Sequence, residues 1–136
     1  MSRFFYLKLY ALTVPVFLII DILWLGVAAK EFYRSKLSFI VSLQVNWAAA
    51  FIFYLVYIAG ILFFAVRPAV NSNSLAHAAG LGALFGFFTY ATYDLTNLAT
   101  IKDWPIVIVI VDILWGICLC MIVAMVSFMI SKRLTR

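Results

Sequence analysis

Charge is what this sequence lacks. Its 136 residues hold five Asp or Glu and ten Lys or Arg, 11% together, where a soluble domain carries about 25%. A water-exposed surface cannot be built from so few, and 68% hydrophobic residues are more than a domain this small can hide, because its surface-to-volume ratio is too high. Sulfur and imidazole are equally sparse. The two cysteines, Cys118 and Cys120, stand two apart in one apolar run, so on a helix they point to different sides and cannot bridge; they read as buried thiols. The one histidine, His77, reads as interfacial. No nucleophile elbow, zinc motif, phosphate loop or haem motif is present, so no metal site and no cofactor are expected.

What is present is apolar length. Four runs approach or exceed the 20 residues needed to cross ~30 Å of hydrocarbon. The expected fold is all-α: a single transmembrane domain over 1–136, an integral membrane four-helix bundle with helices at about 4–29, 45–66, 75–99 and 105–130. A cleavable signal peptide is the rival reading of the first run, but the run is about twice a normal apolar core of that kind and carries Asp21. Pro15 predicts a kink in helix 1. Arg67-Pro68 predicts the end of helix 2. Asn71-Ser72-Asn73-Ser74 caps helix 3, and Asp103 with Pro105 opens helix 4. Residues 30–44 place Tyr33, Leu37, Ile40 and Val41 at near-helical spacing, which suggests a short helix lying in the interface; an extension of helix 2 is the alternative.

The net charge of +5 does not point to nucleic acid, because the basic residues flank the apolar runs, where they meet lipid headgroups. Arg3, Lys8, Arg67, Lys132, Arg133 and Arg136 fall at one end; Lys30, Arg34, Lys36 and Lys102 fall at the other. Six against four favours both termini in the cytoplasm. Ala78, Gly82 and Gly86 form a ridge of small residues that lets a helix approach closely, either within the bundle or between copies as a homo-oligomer contact. Membrane lipids are the other expected partner.

Three carboxylates lie inside apolar runs: Asp21, Asp94 and Asp112. A side chain able to carry charge is expensive there and marks a functional site by default. At ~1.5 Å per residue, all three fall roughly 10 Å below the surface that carries the first and third links. Asp21-Ile-Leu-Trp24 and Asp112-Ile-Leu-Trp115 repeat one tetrapeptide, on antiparallel helices and at one height, so an inverted duplication does not account for it. Asp94 shares a face with Tyr90 and Asn97, flanked by Tyr93 and Thr96, and Asn46 starts helix 2 at the same end. The expectation is a polar pocket of Asp21, Asp94, Asp112, Asn97, Tyr90, Tyr93 and Asn46, roofed by Trp24 and Trp115. Carboxylates crowded in a poorly hydrated layer repel, so a proton or a cation is expected among them.

Asp21-Ile-Leu-Trp24-Leu-Gly26, Phe32-Tyr33, Tyr93-Asp94-Leu-Thr96-Asn97-Leu, Lys102-Asp103-Trp104-Pro105 and Asp112-Ile-Leu-Trp115-Gly116 together resemble a family of small bacterial inner-membrane proteins classed as a domain of unknown function. The resemblance implies four spanning helices and a bacterial source, and brings no activity. Three functions fit the residues. The aspartate layer would bind or transport a proton, cation or small cationic solute, in loose analogy to small multidrug-resistance transporters, which are shorter and have no counterpart to Asp94 and Asp112. It would alternatively serve an enzyme acting on a lipid or lipid-soluble substrate. In the third reading the chain is an assembly or regulatory partner of another membrane protein.

Overall fold

The structure is a computed structural model that describes residues 2–40 and 44–135. The expected Val41 and Arg136 contributions therefore lie outside the described residues. Among the described residues, four helical spans are long and apolar enough to cross a membrane: Arg3–Ala28, Trp47–Ser72, Leu75–Thr100 and Ile106–Leu134. The first is an α-helix, α1 (Arg3–Leu23), ending in a π-turn at Trp24–Ala28. A short helix, α2 (Lys30–Leu37), follows. The second span is α3 (Trp47–Ile61), a π-turn at Leu62–Val66 and α4 (Arg67–Ser72). Then come α5 (Leu75–Thr100) and α6 (Ile106–Leu134). Lipid is as apolar as a leucine side chain, so close packing and cross-helix hydrogen bonds, rather than water exclusion, must hold such spans together.

The ends of the helices correct several sequence expectations. The second span does not stop at Arg67-Pro68 but runs on to Ser72. Proline lacks an N–H and clashes with the carbonyl four residues back. Here the wide turn before it, closed by the Arg67 N–H on the Leu62 carbonyl, relaxes the α-helical hydrogen-bond pattern that proline would break. Asn73, in the left-handed region at φ 50°, ends α4, and Ser74 caps α5 through the His77 N–H. Asp103 was expected to cap helix 4 and does not. It takes φ 60°, a conformation aspartate tolerates, and reverses the chain, while α6 starts after Pro105 with no side-chain cap. The short helix α2 is separate from helix 2: it ends at Leu37, and the second span begins at Trp47, capped by Asn46 through the Ala49 N–H at 3.1 Å. Tyr33 and Leu37 of α2 pack on Trp104, Ile108 and Val109, whereas Ile40 is exposed.

The small-residue ridge sits at the centre of the bundle. Ala78, Gly82 and Gly86 are buried against α6. A Cβ on Gly82 would stand 2.6 Å from the Cys120 carbonyl oxygen, and one on Gly86 would stand 2.0 Å from that of Gly116. Only glycine permits this approach. The ridge expected as a candidate contact between copies is thus already occupied by the chain's own α6. Around it Leu9, Phe17, Ile58, Ile61, Leu119 and Val123 form a dry core. A polar link crosses it between the Thr13 and Ser127 hydroxyls at 2.9 Å, with Thr13 also donating to the Leu9 carbonyl. Cys120 is buried, but Cys118 is exposed on the outside of α6, contrary to the expectation of two buried thiols. Thr92, Thr96 and Thr100 face outward and satisfy their hydroxyls on carbonyls one turn back, which makes a threonine stripe compatible with lipid.

Candidate functional site

At the end of the bundle away from the termini the packing changes from small and apolar to large and polar. Asp21, Asp94 and Asp112 are all buried, and each is treated differently. Asp21 accepts a hydrogen bond from the Tyr54 hydroxyl of α3 at 2.8 Å. Asp112 accepts one from the Tyr33 hydroxyl, which α2 brings down from the membrane surface. Tyr33 in turn accepts from the Trp24 indole N–H at 3.2 Å, so Trp24, Tyr33 and Asp112 form one relay across three elements. Asp94 is fully enclosed, and neither of its carboxyl oxygens has a hydrogen-bond partner. The Trp104 indole interacts with Asp94 and the Trp115 indole with Asp21, both short of hydrogen-bond geometry.

The acids are linked through their neighbours, Asp94 with Asp112 directly and Asp21 through Tyr90. Asp94 and Asp112 act on each other, Tyr33 feels both, and Tyr90 feels Asp21 and Asp112. Among the described residues they do not gather into a chelating group with other metal-ligating side chains. Tyr33 lies outside the spans. Burial first, and then its hydrogen bond to Asp112, hold its hydroxyl well above the ordinary phenol range, so it remains a donor at any physiological pH.

Trp24 and Trp115 stack face to face, with ring centroids 4.4 Å apart and planes within 8°. Beside the acids lies a cavity of about 440 Å³ lined by Phe53, Tyr57, Thr89, Tyr90, Tyr93 and Asp112. Tyr57 stands edge-on to Tyr90 at 6.3 Å. Its hydroxyl meets Thr89 at 2.7 Å and the Cys120 thiol at 3.2 Å. Tyr93 is largely exposed and packs edge-on against Trp104.

Two asparagines expected here do not bond the acids. Asn46 is exposed and spends its side chain capping α3. Asn97 is half-buried one turn from Asp94, yet Asp94 has no partner, so the pair forms no hydrogen bond. The sequence does not single out Tyr54, Tyr57, Thr89 or Phe53, and it offers Tyr33 and Trp104 only for the interfacial helix and the family motifs, not for the site. A tyrosine in an apolar run is a weak signal, since it suits an interface as well as a carboxylate.

Four long apolar spans with ionisable groups buried between them define a multi-pass helical membrane protein. The chain belongs to the DUF2177 family, described as a predicted membrane protein, whose model matches residues 6–129. No curated protein and no solved structure matches it.

Proposed function

We propose that the protein binds a small organic cation in the cavity that Asp112 shares with Phe53, Tyr57, Tyr90 and Tyr93. The carrying observation is the lining: four aromatic rings and one carboxylate around about 440 Å³. Aromatic faces attract a desolvated cation, the carboxylate supplies a full counter-charge, and the volume lies in the range of small-molecule sites. Asp94 strengthens the reading. A carboxylate buried without partners in an apolar bundle is costly, and a cation beside Asp112 would be felt by Asp94 as well. A divalent ion is a poorer fit, because the acids do not form a chelating group. Acid–base chemistry on a lipid is also less favoured, because Asp112 is the one carboxylate lining the cavity. Below the acids the core around Leu9, Phe17, Ile58 and Leu119 is largely apolar, with Thr13 and Ser127 hydrogen-bonded to each other inside it, so binding, and not conduction, is the primary reading. Carriage across the membrane would require the core to rearrange.

Benzyltrimethylammonium is a suitable probe. Its binding to the chain in phosphatidylcholine nanodiscs should quench tryptophan fluorescence saturably. Asp112→Asn should weaken it by about tenfold or more, about 1.4 kcal/mol, while Asp21→Asn, which does not line the cavity, should leave it nearly unchanged. No saturable binding to the natural chain, or equal binding by Asp112→Asn, would refute the reading. Loss of counterflow in vesicles, with binding retained, would mark a binder that does not transport.

The proposed setting is a bacterial inner membrane, and the six-to-four charge count supports both termini in the cytoplasm. Single cysteines at Ser38 and Thr135, with Cys118 and Cys120 replaced, test it. An impermeant reagent should label the first and not the second in intact cells; the reverse pattern would invert the orientation.

A further inference from the structure

A second site lies at the opposite end of the bundle. There a cleft of about 550 Å³ opens between α1 and the π-turn of the second span, lined by Arg3, Tyr6, Tyr10, Leu62, Phe63 and Arg67. Two features shape it. The Tyr10 hydroxyl donates to the Leu55 carbonyl at 2.9 Å and ties the helices together at the cleft. The π-turn at Leu62–Val66 sets where Arg67 leaves the helix, and its guanidinium lies over the Phe63 ring at 5.4 Å. Arg3 enters from the other wall.

No Asp or Glu side chain neutralises this pair among the described residues. All five Asp and Glu side chains, Asp21, Glu31, Asp94, Asp103 and Asp112, belong to the half of the bundle away from the termini or to the links beyond it. Among the described residues neither arginine has an ion-pair partner. Two guanidinium groups facing one cleft match a phosphate, whose oxygens accept the paired N–H donors of a guanidinium. Of the other lining residues, Ala59, Leu62 and Phe63 are apolar, and the exposed Phe63 ring carries the cleft onto the outer surface of the bundle, which suits acyl chains and not a free ion.

We propose that this cleft is a binding site for the phosphodiester headgroup of an anionic phospholipid, held between Arg3 and Arg67. Scattered basic residues also attract an anionic leaflet, each by a similar small amount, so the distinguishing property is position. Native mass spectrometry of the detergent-solubilised chain, titrated with dioleoylphosphatidylglycerol or dioleoylphosphatidylcholine, reads the first adduct directly. The natural chain should prefer phosphatidylglycerol. The Arg3→Gln/Arg67→Gln variant should lose about tenfold in affinity for it, while Lys8→Gln/Arg133→Gln, which removes the same charge outside the cleft, should lose less than about threefold. Arg67→Lys, which keeps charge and removes the planar fork, should also bind measurably less and covers the case in which the double variant does not fold. Equal losses in the two double variants, undiminished binding by Arg67→Lys, or no preference over phosphatidylcholine would overturn the proposal. Displacement of the adduct by millimolar inorganic phosphate would overturn it too, in favour of a free-anion site.

Discussion

The two halves of this bundle are built on opposite rules. Toward the termini, α5 and α6 touch backbone to backbone through Gly82, Gly86, Gly116 and Ala124, and the fully buried Thr13 and Ser127 are small and hydrogen-bonded to each other. Toward the other end, the same two helices carry Tyr90, Asp94, Asp112 and Trp115, side chains too large to interlock as closely. A cavity remains, and one carboxylate has no partner. The close-packed half supplies stability and the open half holds groups that reduce it. The difference teaches that in lipid, where burial alone drives little, a chain can keep an awkward polar site only if contacts elsewhere hold the helices in place.

The strongest test of this contrast is to spoil the packed half. Gly86→Leu places side-chain atoms where the Gly116 carbonyl already sits, and Gly82→Leu does nearly the same. Overpacking costs about 1–3 kcal/mol or more, and against immovable backbone we expect loss of the folded chain in an SDS unfolding titration. Gly80→Leu, on the same helix with nothing within 4 Å, should behave as the natural protein. Similar behaviour of Gly80→Leu and Gly86→Leu would dissolve the comparison.

The open half should respond in the reverse direction. Asp94→Leu removes a fully buried carboxyl that has no hydrogen bond, and should stabilise the chain by about 1–3 kcal/mol. If stability falls by that amount, Asp94 is a structural strut and the contrast is wrong on that side.

A smaller effect is expected at the relay. Tyr33→Phe deletes the bonds to Asp112 and from Trp24 and should cost about 0.5–1.5 kcal/mol. The pH dependence has a definite sign. Because the folded Tyr33 hydroxyl titrates above its unfolded value, its contribution is complete below the ordinary phenol pKa of about 10 and fades as pH rises through the folded value. The natural protein and Tyr33→Phe should therefore differ by a constant amount from neutral pH to about 10, and a gap that closes below that range would show that the tyrosine is not held as described. The smallest effect is chemical. In detergent, pyrene maleimide should label Cys118 and spare Cys120, giving one label per chain; labelling of both would mean that the packed half opens readily.

The sequence makes the spans legible because length and apolarity are sufficient signals for a bilayer-crossing helix. Counting residues gives an expected height for Asp21, Asp94 and Asp112, and the structure shows all three buried. What counting does not give is rotation. These helices are apolar nearly all round, so no amphipathic stripe records which way a side chain points. Hence Tyr54 and Tyr57, which meet Asp21 and Cys120 across helices, look like ordinary aromatics in the sequence, and Asn46, which looks polar and well placed, turns out to be a cap. The end of the second span is misread at Arg67-Pro68 because the proline rule assumes a regular α-helix before it, and a π-turn removes that assumption.

The stacked indoles of Trp24 and Trp115 give the molecule an optical property of its own. Two such chromophores held parallel at 4.4 Å couple their electronic transitions, so the pair should give a split circular-dichroism band that separate tryptophans do not. The rings come from α1's π-turn and from α6, and Trp24 also holds Tyr33. Any event that lifts α2 or rotates α6 would weaken the coupling. The protein thus carries, without any label, a spectroscopic gauge of whether its aspartate end is closed.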